Sequence, residues 1–283
     1  MTNSRLNKLT SAQVNTFRRL IWSYYARNRR SFPWREKPTP YRVVISEIML
    51  QQTQAPRVVV KFESFVKQFS SWRALDTAPQ AAVVRAWQGL GYNRRALALK
   101  KIARIVITQY KGHLPDLSIE QLDALPGIGY ATACAVSAFA FNRATAFIET
   151  NIRAVYLHIF FPGKKDVSDE QLMPYIQQTL EKKRARDWYY ALMDYGVMLK
   201  QTQDNPSRRS RHHTKQSKFI GSRRQVRGQI LKQLAQKPSS HAELLVALDF
   251  SPGLTQEILD ELTREGFLTQ RASKKGVHYA LAR

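Results

Sequence analysis

The sequence predicts a mainly α-helical protein that ends in a small α+β domain. Up to about residue 200, apolar residues recur every three or four positions, as they do on one face of a helix. Alternation of apolar and polar residues, which is typical of strands, occurs only after residue 265. Between these regions, residues 207–232 contain nine Lys or Arg and no Asp or Glu. This change of composition predicts one domain at 1–206, a basic linker at 207–222 and a second domain at 223–283.

Helices are predicted wherever the apolar residues keep the spacing of three to four. The first covers Val14–Arg29, in which Phe17 and Ile21 share a face. The stretch Ser31–Tyr41 is predicted to be an extended connector, because three prolines interrupt it. The remaining helices of the first domain are predicted at Val43–Thr53, Ala55–Phe69, Ala81–Leu90, Ala96–Tyr110, Ile119–Leu125, Ala131–Phe141, Ile152–Phe160, Asp169–Lys182 and Ala185–Leu199.

The C-terminal domain is predicted to combine three short helices with a β-hairpin. The helices are predicted at Arg224–Ala235, His241–Leu248 and Thr255–Glu265, and the strands at Phe267–Gln270 and Val277–Leu281. This order resembles a winged helix, in which the hairpin is the wing. Winged helices bind either DNA or proteins. Basic residues at the predicted tip of the wing favour DNA, namely Arg271, Lys274 and Lys275.

The charge of the chain indicates a polyanionic partner. There are 45 Lys and Arg against 21 Asp and Glu, a formal net charge of +24. A charge of this size strains the compact state by self-repulsion. A nucleic acid partner therefore explains the excess better than a merely basic, soluble protein does.

Hydropathy and cysteine content predict a cytoplasmic protein with no membrane partner. No apolar run approaches the roughly 20 residues that a membrane span needs. The N-terminal stretch Met1–Thr10 lacks the hydrophobic segment of a secretory signal. The single cysteine, Cys134, permits neither a disulfide nor a Cys-ligated cluster within one chain, which fits a reducing compartment.

The segment Leu122–Phe141, LDALPGIGYATACAVSAFAF, places two glycines between two helical patterns. Glycine allows a positive φ and a close approach of the backbone. The helix after Gly129 would present N–H groups and the positive end of its dipole to an anion such as a DNA phosphate. The predicted phosphate contacts here are Gly127, Gly129 and Thr132, and the small side chain of Ala131 leaves room for the anion. An ordinary corner between two core helices is the alternative.

Three further segments carry a resemblance to a known family. They read FPWREKPTPYRVVISEIMLQQTQ at Phe32–Gln54, GLGYNRRALAL at Gly89–Leu99 and IETNIRAV at Ile148–Val155. With LPGIGYATA they resemble the helix-hairpin-helix DNA glycosylases of the endonuclease III fold, and the first segment is similar to the MutY-type adenine DNA glycosylases. The resemblance spans Ser31–Lys200. It implies a two-lobed helical fold that binds DNA with an extruded base in the cleft between the lobes.

The resemblance assigns the catalytic acid to Glu47 in the segment SEIML. In the adenine enzymes this glutamate protonates the purine N7 and helps to activate water. Apolar neighbours such as Val44 and Ile48 would desolvate the carboxyl and favour its protonated form. In the alternative, purely structural role, Glu47 would pair with a cation such as Arg42.

The family's second carboxylate lies in an Asp-x-Asn pattern, which reads Glu149 and Asn151 in this chain. The resemblance implies that this carboxylate stabilises the oxocarbenium-like sugar while the glycosidic bond breaks. Glutamate keeps the charge but adds one methylene, about 1.5 Å of reach. The pocket for base and sugar is predicted to include Asn151, Tyr130 and Ala131.

Two departures from the family pattern predict a monofunctional enzyme without an iron–sulfur cluster. Bifunctional relatives form a Schiff base through a lysine two residues after the second hairpin glycine, where this chain has Ala131, and Lys100 does not substitute by position. Many relatives bind a four-cysteine cluster after the helix that corresponds to Trp188–Leu199, a region with no cysteine here. The DNA contacts of the cluster loop would pass to the basic residues Arg208, Arg209, Arg211 and Lys215.

No resident metal or other cofactor is expected, although the resemblance allows a monovalent cation at the hairpin. His158, His212 and His213 do not form a recognisable ligand set. Base extrusion leaves a gap in the stack that side chains must fill. The predicted wedge residues are Gln51, Gln52, Tyr92 and Asn93.

The predicted reaction is removal of adenine mispaired with guanine or 8-oxoguanine. Removal of thymine or uracil opposite guanine is an alternative, because the chain ends in a winged helix instead of the nucleotide-hydrolase-like domain with which adenine enzymes read 8-oxoguanine. A non-catalytic protein that binds DNA lesions is an alternative of another class. The expected partner is double-stranded DNA with a mismatched or damaged base, bound by a monomer at the nucleoid.

Overall fold

The computed structural model describes residues 8–214, 218–273 and 276–283 and is mainly helical, as predicted. Lys215, Lys274 and Lys275, which the sequence singled out as DNA contacts, lie outside the described residues. No helix in the described ranges combines the length and the apolar character that crossing a bilayer requires.

The helices and strands follow the predicted order closely. The first ten helices are α1 Ser11–Asn28, α2 Pro33–Glu36, α3 Pro40–Leu50, α4 Ala55–Gln68, α5 Trp72–Thr77, α6 Gln80–Ala86, α7 Arg94–Tyr110, α8 Ile119–Asp123, α9 Tyr130–Phe141 and α10 Thr150–Phe160. The remaining elements are α11 Asp169–Thr179, α12 Ala185–Thr202, a 3-10 helix at Pro206–Arg209, α13 Arg223–Gln236, β1 Ser239–Ser240, α14 His241–Ala247, α15 Pro252–Arg264, β2 Leu268–Ser273 and β3 Gly276–Leu281.

The prediction of an extended connector at Ser31–Tyr41 is wrong. The segment forms the short helix α2, and Pro40 begins α3. Pro33 stands in the first turn of α2, where a residue without an N–H group costs no hydrogen bond, so proline here starts a helix instead of breaking one. The helix α5 and the two-residue strand β1 were also not predicted.

The described chain divides into two compact units. The first comprises Met1–Val43, Asp116–Ala124 and Ile128–Lys215. The second comprises Val44–Pro115, Leu125–Gly127 and Gln216–Arg283, so it combines part of the predicted first domain with the C-terminal domain. The boundaries at residues 206 and 222 stay predictions.

The first unit has an aromatic core between α1, α10 and α12. Phe17 of α1 lies 5.3 Å from Tyr156 and 5.8 Å from Trp188, measured between ring centroids, and all three are buried. A buried ion pair fixes α2 in this unit, because Arg35 donates to both carboxylate oxygens of Asp194 at 3.0 Å. Arg30 reaches the same carboxylate at 2.7 Å. This carboxylate therefore anchors the segment before α3.

The C-terminal part of the second unit has the element order of a winged helix. Helices α13, α14 and α15 precede the hairpin β2–β3, and the three strands form an antiparallel sheet in the order β1-β3-β2. The register pairs Gln270 with Tyr279 and Leu268 with Leu281. Phe267 and Tyr279 are buried against the helices.

The winged-helix part shares its core with α6 and α7. Val84 of α6 is buried in the same cluster as Ile230, Leu262 and Phe267, and Leu97 of α7 packs against it. Polar contacts add to this interface. Gln80 Nε2 donates to Gly266 O, and Arg85 Nε donates to Ala235 O at 2.9 Å.

Candidate active site

The predicted catalytic acid Glu47 lies in the last two turns of α3. Its neighbours Ser46 and Ile48 are buried, while Glu47 itself is half-buried. Glu47 is therefore partly shielded from water but not enclosed. Arg42, the cation considered as its structural partner, donates through Nη2 to Pro33 O at 2.8 Å.

The second predicted carboxylate, Glu149, is the N-cap residue of α10. Its Oε1 accepts hydrogen bonds from the backbone N–H groups of Asn151 and Ile152 at 2.8 and 2.9 Å. Its Oε2 accepts from Asn151 Nδ2 at 3.1 Å. Carboxylates at helix N-caps satisfy N–H groups that have no partner within the helix. These hydrogen bonds hold the Glu149 carboxylate against the N-terminus of its own helix, in a fixed orientation.

A lysine supports this arrangement from α12. Lys200 Nζ donates to Asn151 Oδ1 at 2.8 Å, and Asn151 in turn holds Glu149. Burial lowers the pKa of Lys200, and the nearby charge of Glu149 opposes that shift. Both polar atoms of the Asn151 amide are therefore held by neighbouring side chains, which fixes its orientation.

Gly196 of α12 makes the close packing at this position possible. A Cβ atom added to Gly196 would clash with the carbonyl oxygen of Asn151 and would lie 2.8 Å from its Cβ. Because α10 and α12 approach this closely, only glycine fits at position 196. The sequence alone did not single out Gly196 or Lys200.

The two hairpin glycines have different structural roles. Gly127 has a φ of +75°, and a Cβ there would lie 2.8 Å from Ala98 Cβ, so the turn requires glycine. Gly129 has a φ of −110° and is the N-cap residue of α9. A Cβ at Gly129 would contact nothing within 4 Å. The packing of the chain thus explains Gly127 but leaves the glycine at position 129 unexplained.

The start of α9 is open to solvent. No side chain caps the helix, and Gly129, Tyr130 and Ala131 are exposed. An uncapped, exposed helix N-terminus suits a phosphate, whose oxygens accept from the first backbone N–H groups. Thr132 is half-buried one residue further along. Tyr130 lies on the exposed side of α9, next to Cys134. Burial raises the pKa of the Cys134 thiol to about 11.

The predicted wedge residues lie on two turns of the second unit. Gln52 follows α3, and Tyr92 and Asn93 precede α7. Gln52 and Tyr92 are exposed, and both have a positive φ, of 56° and 45°. This backbone conformation costs a residue with a side chain about 1 to 2 kcal/mol, and such strain is concentrated at functional sites. Gln51 is less free, because its Nε2 donates to Gly127 O at 3.0 Å and links the first turn to the hairpin.

Arg95 holds the two wedge turns together, and the sequence analysis missed it. Its buried guanidinium donates to Ile48 O at 2.8 Å and Met49 O at 2.9 Å at the end of α3, and to Gly91 O at 2.9 Å in the second turn. Its other acceptors are Gln51 O, Leu90 O, Thr53 Oγ1 and Tyr92 O. Burial lowers the pKa of Arg95 to about 10. One side chain therefore donates hydrogen bonds to acceptors in both turns.

The basic segment after α12 is attached to α10 by hydrogen bonds. Ser207 Oγ donates to Thr150 O at 2.9 Å, and Arg209 Nη2 donates to Leu157 O at the same distance. Arg211 pairs with Asp166 at 2.8 Å, and Arg208 is exposed. Arg209 thus binds the C-terminal end of α10. Arg208 is therefore the arginine of this segment that is best placed to bind a phosphate.

The chain's side chains do not fit an iron–sulfur cluster. Its one cysteine is buried in α9, and the segment after α12 contains none. Within the described ranges, no three His, Cys, Asp or Glu side chains come together as metal ligands. Lys100, the lysine considered for a Schiff base, donates to the carbonyl oxygens of Asp76 and Ala78 at 2.6 Å.

Comparison with known proteins identifies relatives over most of the chain. Residues 45–182 match a family described as HhH-GPD superfamily base excision DNA repair protein. The adenine DNA glycosylase of Mycobacterium tuberculosis strain H37Rv is 31% identical over 279 residues, which covers 88% of this chain and 89% of the relative. The human adenine DNA glycosylase is 31% identical over 199 residues, covering 66% of this chain and 36% of the relative.

Solved structures with the same fold include enzymes bound to DNA. A covalent endonuclease III–DNA intermediate superposes with a TM-score of 0.58 at 18% identity, covering 68% of this chain and 88% of that one, and therefore shows the fold alone. A thermostable thymine-DNA glycosylase also superposes with a TM-score of 0.58, at 27% identity, covering 65% of this chain and 86% of that one.

Proposed function

The chain belongs to the HhH-GPD superfamily of base excision DNA repair proteins, among the adenine DNA glycosylases, and on this premise we propose that it removes adenine opposite guanine or 8-oxoguanine. It acts as a monofunctional enzyme, a monomer that binds mismatched duplex DNA in the nucleoid. The observation that carries the proposal is the 31% identity along 89% of the mycobacterial adenine DNA glycosylase.

We assign the acid to Glu47 and the sugar-stabilising anion to Glu149. In the reaction, the bond from the sugar carbon to adenine breaks and its electron pair leaves with the base. Water then adds to the sugar cation, and the proton that it loses returns to the Glu47 carboxylate. Glu47 supplies the proton that the departing purine needs. The carboxylate of Glu149 stabilises the positive charge that develops on the sugar ring, as the second carboxylate does in sugar hydrolysis. Its hydrogen bonds to Asn151 and Ile152 support this role, because a fixed charge needs no reorganisation during the reaction.

The remaining predicted residues bind the DNA. Gln52 and Tyr92 fill the gap left by the extruded base, and their exposed, strained positions support that role. The open N-terminus of α9 binds a phosphate through backbone N–H groups near Gly129. The basic side chain of Arg208 adds a second phosphate contact.

A panel of duplexes tests the substrate assignment. Each contains one A·8-oxoguanine, A·G, T·G, U·G or hypoxanthine pair, and alkali converts abasic sites into strand breaks. We expect breaks at the two adenine-containing mispairs. Release of thymine or uracil instead, which the similarity to the thymine-DNA glycosylase structure makes the second candidate, would replace the adenine assignment. No release from any duplex would favour a non-catalytic lesion-binding protein.

The variant Glu47→Gln tests the acid. It is expected to lower the single-turnover rate of adenine release by about 10²- to 10⁴-fold, with the Kd for the duplex nearly unchanged. Glu63→Gln, at an exposed position of α4, is the matched control. Omission of alkali tests the monofunctional assignment, because a lyase would cut the strand unaided and borohydride would trap its Schiff base.

A further inference from the structure

The second unit contains an open groove of about 950 Å³ whose two sides come from distant parts of the sequence. One side consists of the wedge turns, with Gln52 and Tyr92, and of Arg57 at the start of α4. The other consists of α13 of the winged-helix part, with Arg223, Arg224 and Lys232. We call this the basic groove. The predicted wedge and the winged helix, which are distant in sequence, thus line one surface.

The lining of the basic groove is strongly cationic. Seven of its side chains are Arg or Lys, and Glu261 is the one acidic side chain among them. Some of these cations are used internally: Arg94, Arg223 and Arg227 pair with glutamates of the winged-helix part. Arg57 and Lys232 are exposed, and neither forms an ion pair within the part of the chain that the structure describes.

Arg224 connects the winged-helix part directly to the wedge. Its Nη1 donates to Tyr92 Oη at 2.8 Å, and its guanidinium carbon lies 5.6 Å from the centroid of the Tyr92 ring. Tyr92 is the residue held at a φ of +45°. A ligand that binds Arg224 therefore lies beside the side chain that fills the DNA stack.

The groove is built on a fixed interface. Glu265, which follows α15, accepts from Arg94 at 2.7 Å and from Arg227 at 2.6 Å, so one carboxylate joins α7 to α13. Below these pairs, Val84 of α6 lies in the same core as Ile230 of α13. The relative positions of the cations on the two sides of the groove are consequently set before any ligand binds.

We propose that the basic groove binds the phosphodiester backbone of the duplex that is being repaired, next to the extruded nucleotide. Arg57, Arg224 and Lys232 are its phosphate contacts. The winged-helix part then belongs to the same DNA-binding surface as the wedge and is not a separate reader of sequence. This inference rests on the proposed function, because it requires that Gln52 and Tyr92 enter the DNA stack. Exposed Arg57 and Lys232 and half-buried Arg224, with little acidic lining, suit phosphates, and phosphate contacts carry no sequence information.

The test removes the charges and measures the salt dependence of binding. The full-length triple variant Arg57→Gln, Arg224→Gln, Lys232→Gln is compared with wild type, using a duplex that carries an uncleavable adenine analogue opposite guanine. Each lost phosphate contact lowers the slope of log affinity against log salt by about 0.9. We expect the slope to fall by about 2 to 3 between about 50 and 200 mM salt.

Two control variants, one triple and one double, make the result specific. The triple control removes three exposed charges that do not line the groove, by Lys67→Gln, Lys101→Gln and Arg264→Gln. Its slope of log affinity against log salt should differ from that of wild type by no more than the loss of one phosphate contact would cause. Arg57→Lys with Arg224→Lys keeps the charge and should keep the slope. Equal loss of slope in the groove triple and the distant triple would overturn the proposal.

The remaining outcomes separate this inference from the proposed function. If the triple variant of the groove keeps the salt dependence of wild type while wild type still releases adenine, the inference is wrong and the proposed function stands. If wild type releases no base but the slope is lost in the groove triple alone, the groove is a DNA site and the enzymatic assignment fails. Tighter binding of an RNA duplex with the same loss of slope would assign the groove to RNA and overturn the proposal.

Discussion

Gly196 shows how much of the candidate site depends on a single missing methyl group. A Cβ there would meet the backbone of Asn151, the residue whose side chain holds Glu149. Small shifts of positioned catalytic groups lower rates sharply. A residue that contacts no substrate therefore controls the position of a group assigned to stabilise the sugar.

Gly196→Ala is expected to lower both stability and activity. Helices α10 and α12 must separate or distort, which costs about 1 to 3 kcal/mol of unfolding free energy, and adenine release should slow because Glu149 moves with α10. Chemical denaturation and single-turnover kinetics measure the two effects. Gly253→Ala is the control, since a Cβ at that helical position contacts nothing within 4 Å. An alanine at 196 with wild-type rate and stability would contradict the packing argument.

Arg95 is the second residue whose replacement should be costly. Arg95→Met removes the donors that the guanidinium supplies to the two turns, and each buried acceptor left unsatisfied costs about 1 to 3 kcal/mol. We expect a large loss of stability and of base release, with Arg95→Lys intermediate because one ammonium cannot reach every acceptor. Thermal unfolding and adenine release measure this, and Lys101→Met, exposed on the same helix, is the control. Wild-type behaviour of Arg95→Met would refute its role.

Strain at Gln52 predicts opposite effects on stability and on activity. Gln52→Gly removes a side chain from a residue with a φ of +56° and should raise the unfolding free energy by about 1 kcal/mol. It should also slow adenine release, because the wedge loses its side chain. Lys111→Gly, at a φ of +53° after α7, should give the same stabilisation with the rate unchanged. Equal rates for both glycine variants would exclude Gln52 from the wedge.

At the scale of elements, the hairpin between α8 and α9 contains two glycines with different roles. One is required by the fold, and the other is expected to be required by the ligand. Gly127 has both a positive φ and a close neighbour, whereas Gly129 has neither. The sequence pattern assigned the same reason to both. Sequence therefore predicted the turn correctly but could not tell which glycine the backbone needs, because φ depends on the local path of the chain.

Two alanine substitutions test this distinction. Gly127→Ala should destabilise the protein by about 1 kcal/mol or more, because its φ is disfavoured and Ala98 is in the way. Gly129→Ala should leave thermal stability unchanged and weaken duplex binding, because its Cβ stands where the phosphate approaches. Comparison of unfolding midpoints with duplex Kd values measures both. If the folded Gly129→Ala variant binds the duplex as tightly as wild type, the hairpin is not a phosphate contact.

Helices with strong apolar stripes were predicted to within a few residues, as the bounds of α4 and α12 illustrate. The strands β2 and β3 were also found, because their alternation is clear. The sequence did not predict α2, whose start depends on a proline at the first helical position. It did not predict Arg95 or Gly196 either. Their roles arise from backbone groups that lie far away in sequence, and no local pattern records such contacts.

At the scale of the whole molecule, Glu265 joins the winged-helix part to α7 within the second unit. Burial alone would raise the pKa of this carboxyl, but the hydrogen bonds and charges of Arg94 and Arg227 bring it down to about 2. A lowered pKa means that the ion pairs stabilise the fold above pH 4.5, the ordinary value, and that this contribution is lost as the pH falls toward 2.

Glu265→Gln should therefore destabilise the protein near neutral pH by about 1 kcal/mol, after allowance for the exposed side chain of Arg94. The difference from wild type should shrink below pH 4.5. Denaturant unfolding at a series of pH values measures this, with Glu63→Gln as the control. A difference that is independent of pH would show that the ion pairs contribute nothing to the attachment of α13.

The shared core of α6, α7 and the winged-helix part has a consequence for how such proteins can diversify by recombination. A recombination crossover in the stretch before α13 would pack the winged-helix part of another protein against Val84 and Leu97. The buried side chains of the chimaera would then not fit together. Recombination that preserves function must exchange α6 and α7 together with the winged-helix part. Lineages that acquired a different C-terminal extension would carry compensating substitutions on α6 and α7, far from the junction itself.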